Sequence, residues 1–384
     1  MRTITHFFSA VASLLILSSC YNSEAKEQFN ATIPLVDMND YHNPETRERF
    51  IKGVSDALRE VGFFAVINTG VDEEALDSAY STAENFYRLP YAIKSRYYNP
   101  AINGQRGYVP GESAKGQAES DFKEFYHVGR EQTDDTSKHL GYAHNIWPEE
   151  INLKDPLVTL YQALEKHMTP IQEAMALGID QPKDFFIDKT TNGNTLLRSI
   201  HYPANPPSNQ LWAAEHTDTG LFTILPRATA DGLQVKNKQG EWITVKVPKN
   251  AFVINGADHL ENLTNGEYRS GPHRVVSLGD NYERYSMVLF VHPRGDTDVS
   301  PTYTSIRRTG GSQRYPSATA WELLSERLAD LGLASTSMLK ELSASGLLEK
   351  QIDLGRASPE AMLAVYKAGF ASEKVQNELK KLGY

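Results

Sequence analysis

Within the 384 residues of this chain, His216-Thr217-Asp218 and His273 are the residues whose types and spacing could do chemistry. Two imidazoles and one carboxylate on a rigid frame can hold Fe(II) by one face of its octahedron, leaving the opposite face open for dioxygen and a co-substrate. Positions 216 and 218 are spaced i, i+2, which sends two side chains to the same side of an extended strand and would spread them apart on a helix. The third ligand then has to arrive on a later strand. His273 leads directly into Arg274-Val275-Val276-Ser277, a strand-like run, whereas His259 falls in a turn-rich connection, so His273 is the better third ligand. His42, His139, His144 and His167 have no partner at ligand spacing, and His201, just before Tyr202-Pro203, reads as a packing or hydrogen-bonding residue.

Positioning those ligands requires a β-rich frame. Leu221-Phe222-Thr223-Ile224-Leu225, Gly232-Leu233-Gln234-Val235, Trp242-Ile243-Thr244-Val245 and Ala251-Phe252-Val253-Ile254 are short β-rich runs, separated by Asp231-Gly232, Gln239-Gly240 and Asn265-Gly266 turn signals. Many short strands divided by turns predict a sandwich or jelly roll. Arg284 and Ser286 repeat the i, i+2 spacing, so a guanidinium fork and a hydroxyl can point the same way, a pair suited to a carboxylate. The Met287-Val288-Leu289-Phe290 run beside them places that strand in the core rather than in a surface ion pair.

These stretches, taken in order, resemble a known family. Leu197-Arg198-Ser199-Ile200-His201-Tyr202-Pro203, Ala214-Glu215-His216-Thr217-Asp218, Gly232-Leu233-Gln234-Val235, Asn262-Leu263-Thr264-Asn265-Gly266, Pro272-His273-Arg274-Val275 and Arg284-Tyr285-Ser286 are similar to motifs of the Fe(II)/2-oxoglutarate-dependent oxygenases of the isopenicillin N synthase-like branch. Upstream, Ile33-Pro34-Leu35-Val36-Asp37, Gly62-Phe63-Phe64-Ala65-Val66, Gly107-Tyr108-Val109-Pro110 and Asp121-Phe122-Lys123-Glu124 extend the resemblance over most of residues 31–334, with Thr69 standing where relatives often have His. The resemblance implies a mainly β, α+β fold with a double-stranded β-helix (jelly-roll) core. It implies Fe(II) on His216, Asp218 and His273, with the distal carboxylate of 2-oxoglutarate on Arg284, Ser286 and Tyr202. Dioxygen then serves to oxidise a small organic substrate by hydroxylation, desaturation or cyclisation, with release of succinate and CO2. Residues 103–129 reach over the barrel mouth in relatives, which makes Arg106 and Tyr108, with Phe290 on the core strand, candidates for substrate contact. The same resemblance leaves open an oxidase that does without 2-oxoglutarate and an ethylene- or succinate-forming enzyme. A catalytically silent, membrane-tethered binding protein is the reading from outside enzymology.

Composition narrows the classes. A net charge of −9 counts against a surface that binds nucleic acid nonspecifically, since that needs a basic stripe to displace counterions from phosphate. The single cysteine, Cys20, excludes an intrachain disulfide and a Cys-rich zinc site. Met1-Arg2 followed by an apolar stretch at 7–17 and by Leu17-Ser18-Ser19-Cys20 reads as a secretory signal with a lipobox. The expectation is cleavage before Cys20, lipidation of its sulfur and attachment to the periplasmic side of a bacterial membrane, the alternative being a cytoplasmic chain with an unprocessed N-terminus. The predicted organisation is then a signal peptide at 1–20, a polar tether at 21–30, an N-terminal helical and strand region at 31–180, the jelly-roll core with a closing helix at 181–334, and a helical appendage at 335–384. Leu157, Leu160, Leu164, Met168, Ile171 and Met175 predict one long buttressing helix kinked at Pro170. Ser358-Pro359 predicts a helix start, with Val375, Leu379 and Leu382 on an apolar face further on.

Overall fold

A computed structural model describes residues 31–102, 104–112, 121–132, 141–208, 210–279 and 282–384. The expected signal peptide with Cys20 and the 21–30 tether lie outside the described residues. Among the described residues twelve strands run in chain order: β1 (Leu35–Asp37), β2 (Phe63–Ile67), β3 (Gly107–Val109), β4 (Glu124–Gly129), β5 (Leu196–Tyr202), β6 (Ala213–His216), β7 (Phe222–Leu225), β8 (Leu233–Lys236), β9 (Trp242–Thr244), β10 (Phe252–Gly256), β11 (His273–Val275) and β12 (Arg284–Val291). They form an eight-stranded sheet of order β1-β2-β10-β7-β12-β5-β4-β3 and a four-stranded sheet of order β6-β11-β8-β9. All four β-rich runs predicted between the ligands are strands, shifted by a residue or two at their ends.

Period-2 alternation divides the large sheet into two environments. From β5, Leu197 faces the helices, whereas Ile200 and Tyr202 face the small sheet; from β12, Met287, Leu289 and Val291 face the helices and Val288 and Phe290 the small sheet. The two apolar clusters that result are the two layers of the core, and the space between the sheets belongs to the second. Gly220, at φ +109, lets the turn after β6 pack directly on the end of β12: a Cβ there would lie 2.9 Å from both His292 Nδ1 and the Val291 carbonyl.

Helices cover the outer face. Arg47–Glu60 buries Phe50, Val54, Ala57 and Leu58, and Glu73–Tyr87 begins at Asp72, whose carboxylate accepts from the amides of Glu74 and Ala75. The expected single buttress is two helices, Lys154–Glu165 and Met168–Leu177, with the break at residues 166–167. Pro170 has no N–H to give the carbonyl four residues back, so the chain restarts with Pro170 in the first turn of the second helix rather than kinking through it.

The C-terminal helices Thr336–Ser345, Leu347–Asp353, Pro359–Lys367 and Glu373–Lys381 have a core of their own, built on Leu342, Leu347, Leu348, Met362, Val365, Val375 and Leu379. Ser358 caps its helix as expected, accepting from the Ala361 amide, but Leu382 is exposed beyond the last turn. Helix Ala320–Asp330, expected to close the oxygenase core, serves both bodies, since Ala320 packs in the large core and Ala329 in the C-terminal one. No helix among the described residues is long and apolar enough to cross a membrane.

Candidate metal centre and co-substrate pocket

His216 and His273 are direct cross-strand partners on β6 and β11, with ring centroids 4.2 Å apart. Each donates its Nδ1 hydrogen to a backbone carbonyl, His216 to Ala214 at 2.8 Å and His273 to Gly271 at 3.0 Å. That fixes the tautomer and turns both Nε2 lone pairs towards one point. The edge of Phe63 closes against His273, centroids 5.5 Å apart.

Asp218 arrives differently from the expectation. β6 ends at His216, so the carboxylate is presented from the following turn and the i, i+2 strand geometry does not apply to it. Tertiary contacts aim it instead: Oδ2 accepts from Asn255 Nδ2 on β10 at 2.8 Å and from Thr223 Oγ1 on β7 at 3.2 Å. Oδ1 is left 3.8 Å from His216 Nε2 and 3.9 Å from His273 Nε2. The three ligand atoms lie within 4.8 Å of one another and could hold a metal ion, the only such set of three His, Cys, Asp or Glu among the described residues. Burial, and after it the adjoining His273, pushes the His216 imidazole far below its usual range, so it stays neutral as a ligand must.

Arg284 starts β12 directly opposite Tyr202 on β5, and its guanidinium lies over the Tyr202 ring at 5.0 Å. Its Nε donates to the Ala230 carbonyl at 3.0 Å, while Nη1 is buried with no partner among the described residues. Ser286 follows on the same face, and all three residues are buried. A buried guanidinium with an unanswered donor beside a buried hydroxyl and a phenol is the donor set that a carboxylate completes.

The region between the two ends holds residues that the sequence motifs alone did not assign. Arg198 is clasped between Phe125 and Phe290, 4.2 and 5.1 Å from their ring centroids. It donates through Nε to His127 Nε2 and through Nη1 to Glu112, both at 2.7 Å. Burial would raise the Glu112 carboxyl, yet the Arg198 and Lys123 charges hold it far below the usual carboxylate range. Asp121 joins this cluster to the metal strand, pairing with Lys123 at 2.9 Å and accepting from the Ala214 amide at 2.9 Å. The signal was available: Arg198 is four residues before Tyr202, hence on the same face of β5.

The three candidate substrate contacts part company. Phe290 is on the inner face, beside Thr223 by register. Arg106 is buried at the far end of that face, its guanidinium lying on Gly129, with Nη2 donating to Asn194 at 2.6 Å, Nη1 to the Gln105 carbonyl at 2.7 Å and Nε unpaired among the described residues. Tyr108 is not brought to them. It is one residue out of phase on β3 and faces the helices, where its hydroxyl donates to Glu124 at 2.5 Å. His259, read as part of a turn, is buried in helix Asp258–Leu263.

Residues 33–150 match the family described as non-haem dioxygenase in morphine synthesis N-terminal, and residues 193–293 match the 2OG-Fe(II) oxygenase superfamily. The 2-oxoglutarate-dependent dioxygenase traH of Penicillium crustosum is 31% identical over 283 residues, 70% of this chain and 85% of that one. Among solved structures, a 2OG-Fe(II) oxygenase family protein from Caulobacter crescentus superposes with a TM-score of 0.69 at 32% identity, covering 78% of this chain and 98% of that one. A full-length Neurospora crassa protein in complex with alpha-KG gives a TM-score of 0.68 at 26% identity, covering 77% and 96%. With the jelly roll and the His-Asp-His set in place, these likenesses mean that the chain belongs to the 2OG-Fe(II) oxygenase superfamily, in its isopenicillin N synthase-like branch. It is a non-haem dioxygenase, an oxidoreductase that works with Fe(II), 2-oxoglutarate and dioxygen on a small-molecule substrate and releases succinate and CO2.

Proposed function

We propose that His216, Asp218 and His273 hold the iron, that Arg284 with Ser286 and Tyr202 holds the distal carboxylate of 2-oxoglutarate, and that the substrate enters along the wall of Phe290, Arg198 and Arg106. The observation that carries the reading is the pairing of two incomplete sets on one inner face: three converging ligand atoms, and the buried Arg284 Nη1 without a partner among the described residues. Bound there, Fe(II) with 2-oxoglutarate and dioxygen supplies the oxidising power, the co-substrate becoming succinate and CO2 as one oxygen atom enters succinate and the other serves the substrate's oxidation.

The chain's own residues do the positioning. The Ala214 and Gly271 carbonyls hold the two Nδ1 hydrogens and so keep both Nε2 atoms turned to the metal, and Asn255 and Thr223 hold Asp218 so that a single oxygen faces them. Arg284 and Ser286 orient the co-substrate along β12. Trp212, Val253, Val275 and Val288 give the space an apolar wall that keeps water out. The test is an anaerobic titration with Fe(II) and 2-oxoglutarate, read as a visible charge-transfer band. The band is expected to need all three ligands and to require far more 2-oxoglutarate in Arg284→Ala; unchanged affinity in that variant would remove Arg284 from the role.

We also propose an exported, lipid-anchored enzyme. The support is the apolar 7–17 stretch running into Leu17-Ser18-Ser19-Cys20, the chain's single cysteine standing where lipidation needs it. Two or more acyl chains give stable attachment where one does not. Fractionation of the full chain beside Cys20→Ser, with the mass of the N-terminal peptide, decides it; unprocessed cytosolic protein in both would sink the anchor.

A further inference from the structure

Behind the metal turn, where the jelly roll meets the C-terminal helices, lies a cavity of about 300 Å³. That is the lower end of the range occupied by small-molecule sites. Its walls come from both bodies, with Thr217, Thr219 and helix Asp258–Leu263 on one side and Arg327, Gln351 and Arg356 on the other. It is not the metal centre, because Thr217 and Thr219 line it from the outside of the turn that presents Asp218 inwards.

Two of the polar side chains that line it are almost wholly enclosed and incomplete. Both ring nitrogens of His259, which is 2% exposed, and Oε1 of Gln351, which is 5% exposed, have no hydrogen-bond partner among the described residues. An unanswered buried polar group costs about 1–3 kcal/mol, so the fold carries a penalty that a bound molecule would remove.

Charge says what kind of molecule. The lining includes the four carboxylates of Asp258, Glu261, Glu326 and Asp330 against the two guanidinium groups of Arg327 and Arg356, an excess of two acids over bases. The groups of both signs are engaged within the fold: Arg327 donates to the Thr217 carbonyl at 3.2 Å and Arg356 lies over the Tyr315 ring at 3.9 Å, while Asp258 accepts from Ser270 and Thr217 and Asp330 from Ser358, neutral hydroxyls that leave the acids' charge in place. Burial and the neighbouring Asp258 charge hold the Glu261 carboxyl above its usual range, as expected where positive charge is short. A bare metal ion does not fit, because no second set of three His, Cys, Asp or Glu among the described residues converges on one point. An ammonium group does: it brings positive charge, and N–H donors for the Gln351 acceptor and a His259 lone pair.

We propose that this junction cavity is a binding site for a small organic amine, with Gln351 and His259 as its recognition groups. The occupant lies against both neighbours of Asp218, so it braces the turn that presents the carboxylate and ties the C-terminal helices to the metal centre. The cavity's chemistry is independent of the assignment of the oxygenase site.

The experiment uses the full chain with its iron, measuring melting temperature and calorimetric binding with putrescine, spermidine and agmatine, against a neutral diol of putrescine's length and against added sodium chloride. At least one amine should raise Tm and bind, and the diol and salt should not. Gln351→Leu should weaken that binding about tenfold or more, equivalent to roughly 1.4 kcal/mol, while melting at or above the wild-type temperature because its unpaired acceptor is gone. If the side chain were merely structural, Gln351→Leu would melt lower and bind the amine as wild type does, which overturns the proposal. So does a cavity that holds water only, seen as amines acting no better than diol or salt up to about 10 mM. Should Gln351→Leu fail to fold, His259→Phe puts the same question to the other recognition group.

Discussion

Both faces of the eight-stranded sheet bury paired charges, Glu124 with Lys94 outside and Glu112 with Arg198 inside, but they differ in what is left unanswered, although the same strands supply both. On the outer face, Glu124 accepts from Lys94 at 2.6 and 2.8 Å, from Tyr108 at 2.5 Å and from His201 at 2.8 Å. On the inner face, Arg284 keeps an Nη1 with no partner among the described residues, and three ligand atoms converge within 4.8 Å of one another. A one-residue step along β4 or β5 decides which role a side chain takes: Glu124 is outside and Phe125 inside, His201 outside and Tyr202 inside. A carboxylate surrounded by its own donors is architecture, whereas donors and lone pairs left aimed into a shared space make a site.

The sharpest break between the faces comes from removing the metal set. His216→Ala, Asp218→Ala and His273→Ala are each expected to reduce substrate-dependent succinate formation to background while Tm stays within a few degrees of wild type. Full activity in any one would strike that residue from the set. On the opposite face the signs reverse. Glu124→Ala leaves Lys94 buried without its anion, a loss of about 3–5 kcal/mol in stability, and in whatever fraction stays folded the KM for 2-oxoglutarate should be that of wild type.

Arg284→Ala is the inner-face counterpart of that change. It should raise the KM for 2-oxoglutarate by about 10- to 100-fold, the worth of a charged hydrogen bond of roughly 1.5–3 kcal/mol, with little change in urea midpoint. A stability loss as large as that of Glu124→Ala would erase the distinction between the faces. Asn255→Ala tests the intermediate case of a residue that acts through Asp218. It is expected to weaken iron binding by about 10- to 100-fold, and Asn255→Asp should not restore it, because a second carboxylate repels the first.

The smallest expected effect is on the response to acid. Burial first, and the His292 charge second, lowers the His259 imidazole from 6.5 to about 3. The folded protein therefore declines a proton that the unfolded chain accepts. The stability this contributes is complete above pH 6.5 and is lost as pH falls towards about 3. The slope within that window is at most about 1.4 kcal/mol per pH unit for one histidine. Urea midpoints measured across it should fall less steeply in His259→Leu than in wild type. Parallel slopes would mean that His259 takes up its proton without unfolding.

Much of this protein was legible in its sequence because the deciding interactions are local. Short β-rich runs between turn signals marked the strands from Phe222 to Gly256, Ser358-Pro359 announced its helix, and the ordered motifs and the resemblance they carry brought His216, Asp218, His273, Arg284, Ser286 and Tyr202 to one reading. What only the tertiary structure decided depends on partners far apart in the chain. Asn255 aims Asp218 from 37 residues away, and Glu112 holds Arg198 from 86. Tyr108 was lost to the outer face because strand phase is set by pairing with β4 rather than by the residue's chemistry. His259 passed for a turn residue because a six-residue helix carries too little periodicity to be recognised, and its burial is imposed by elements on either side. The junction cavity is further still from the sequence, since its shape is the misfit between two separately packed cores, and no local pattern encodes where two surfaces fail to touch.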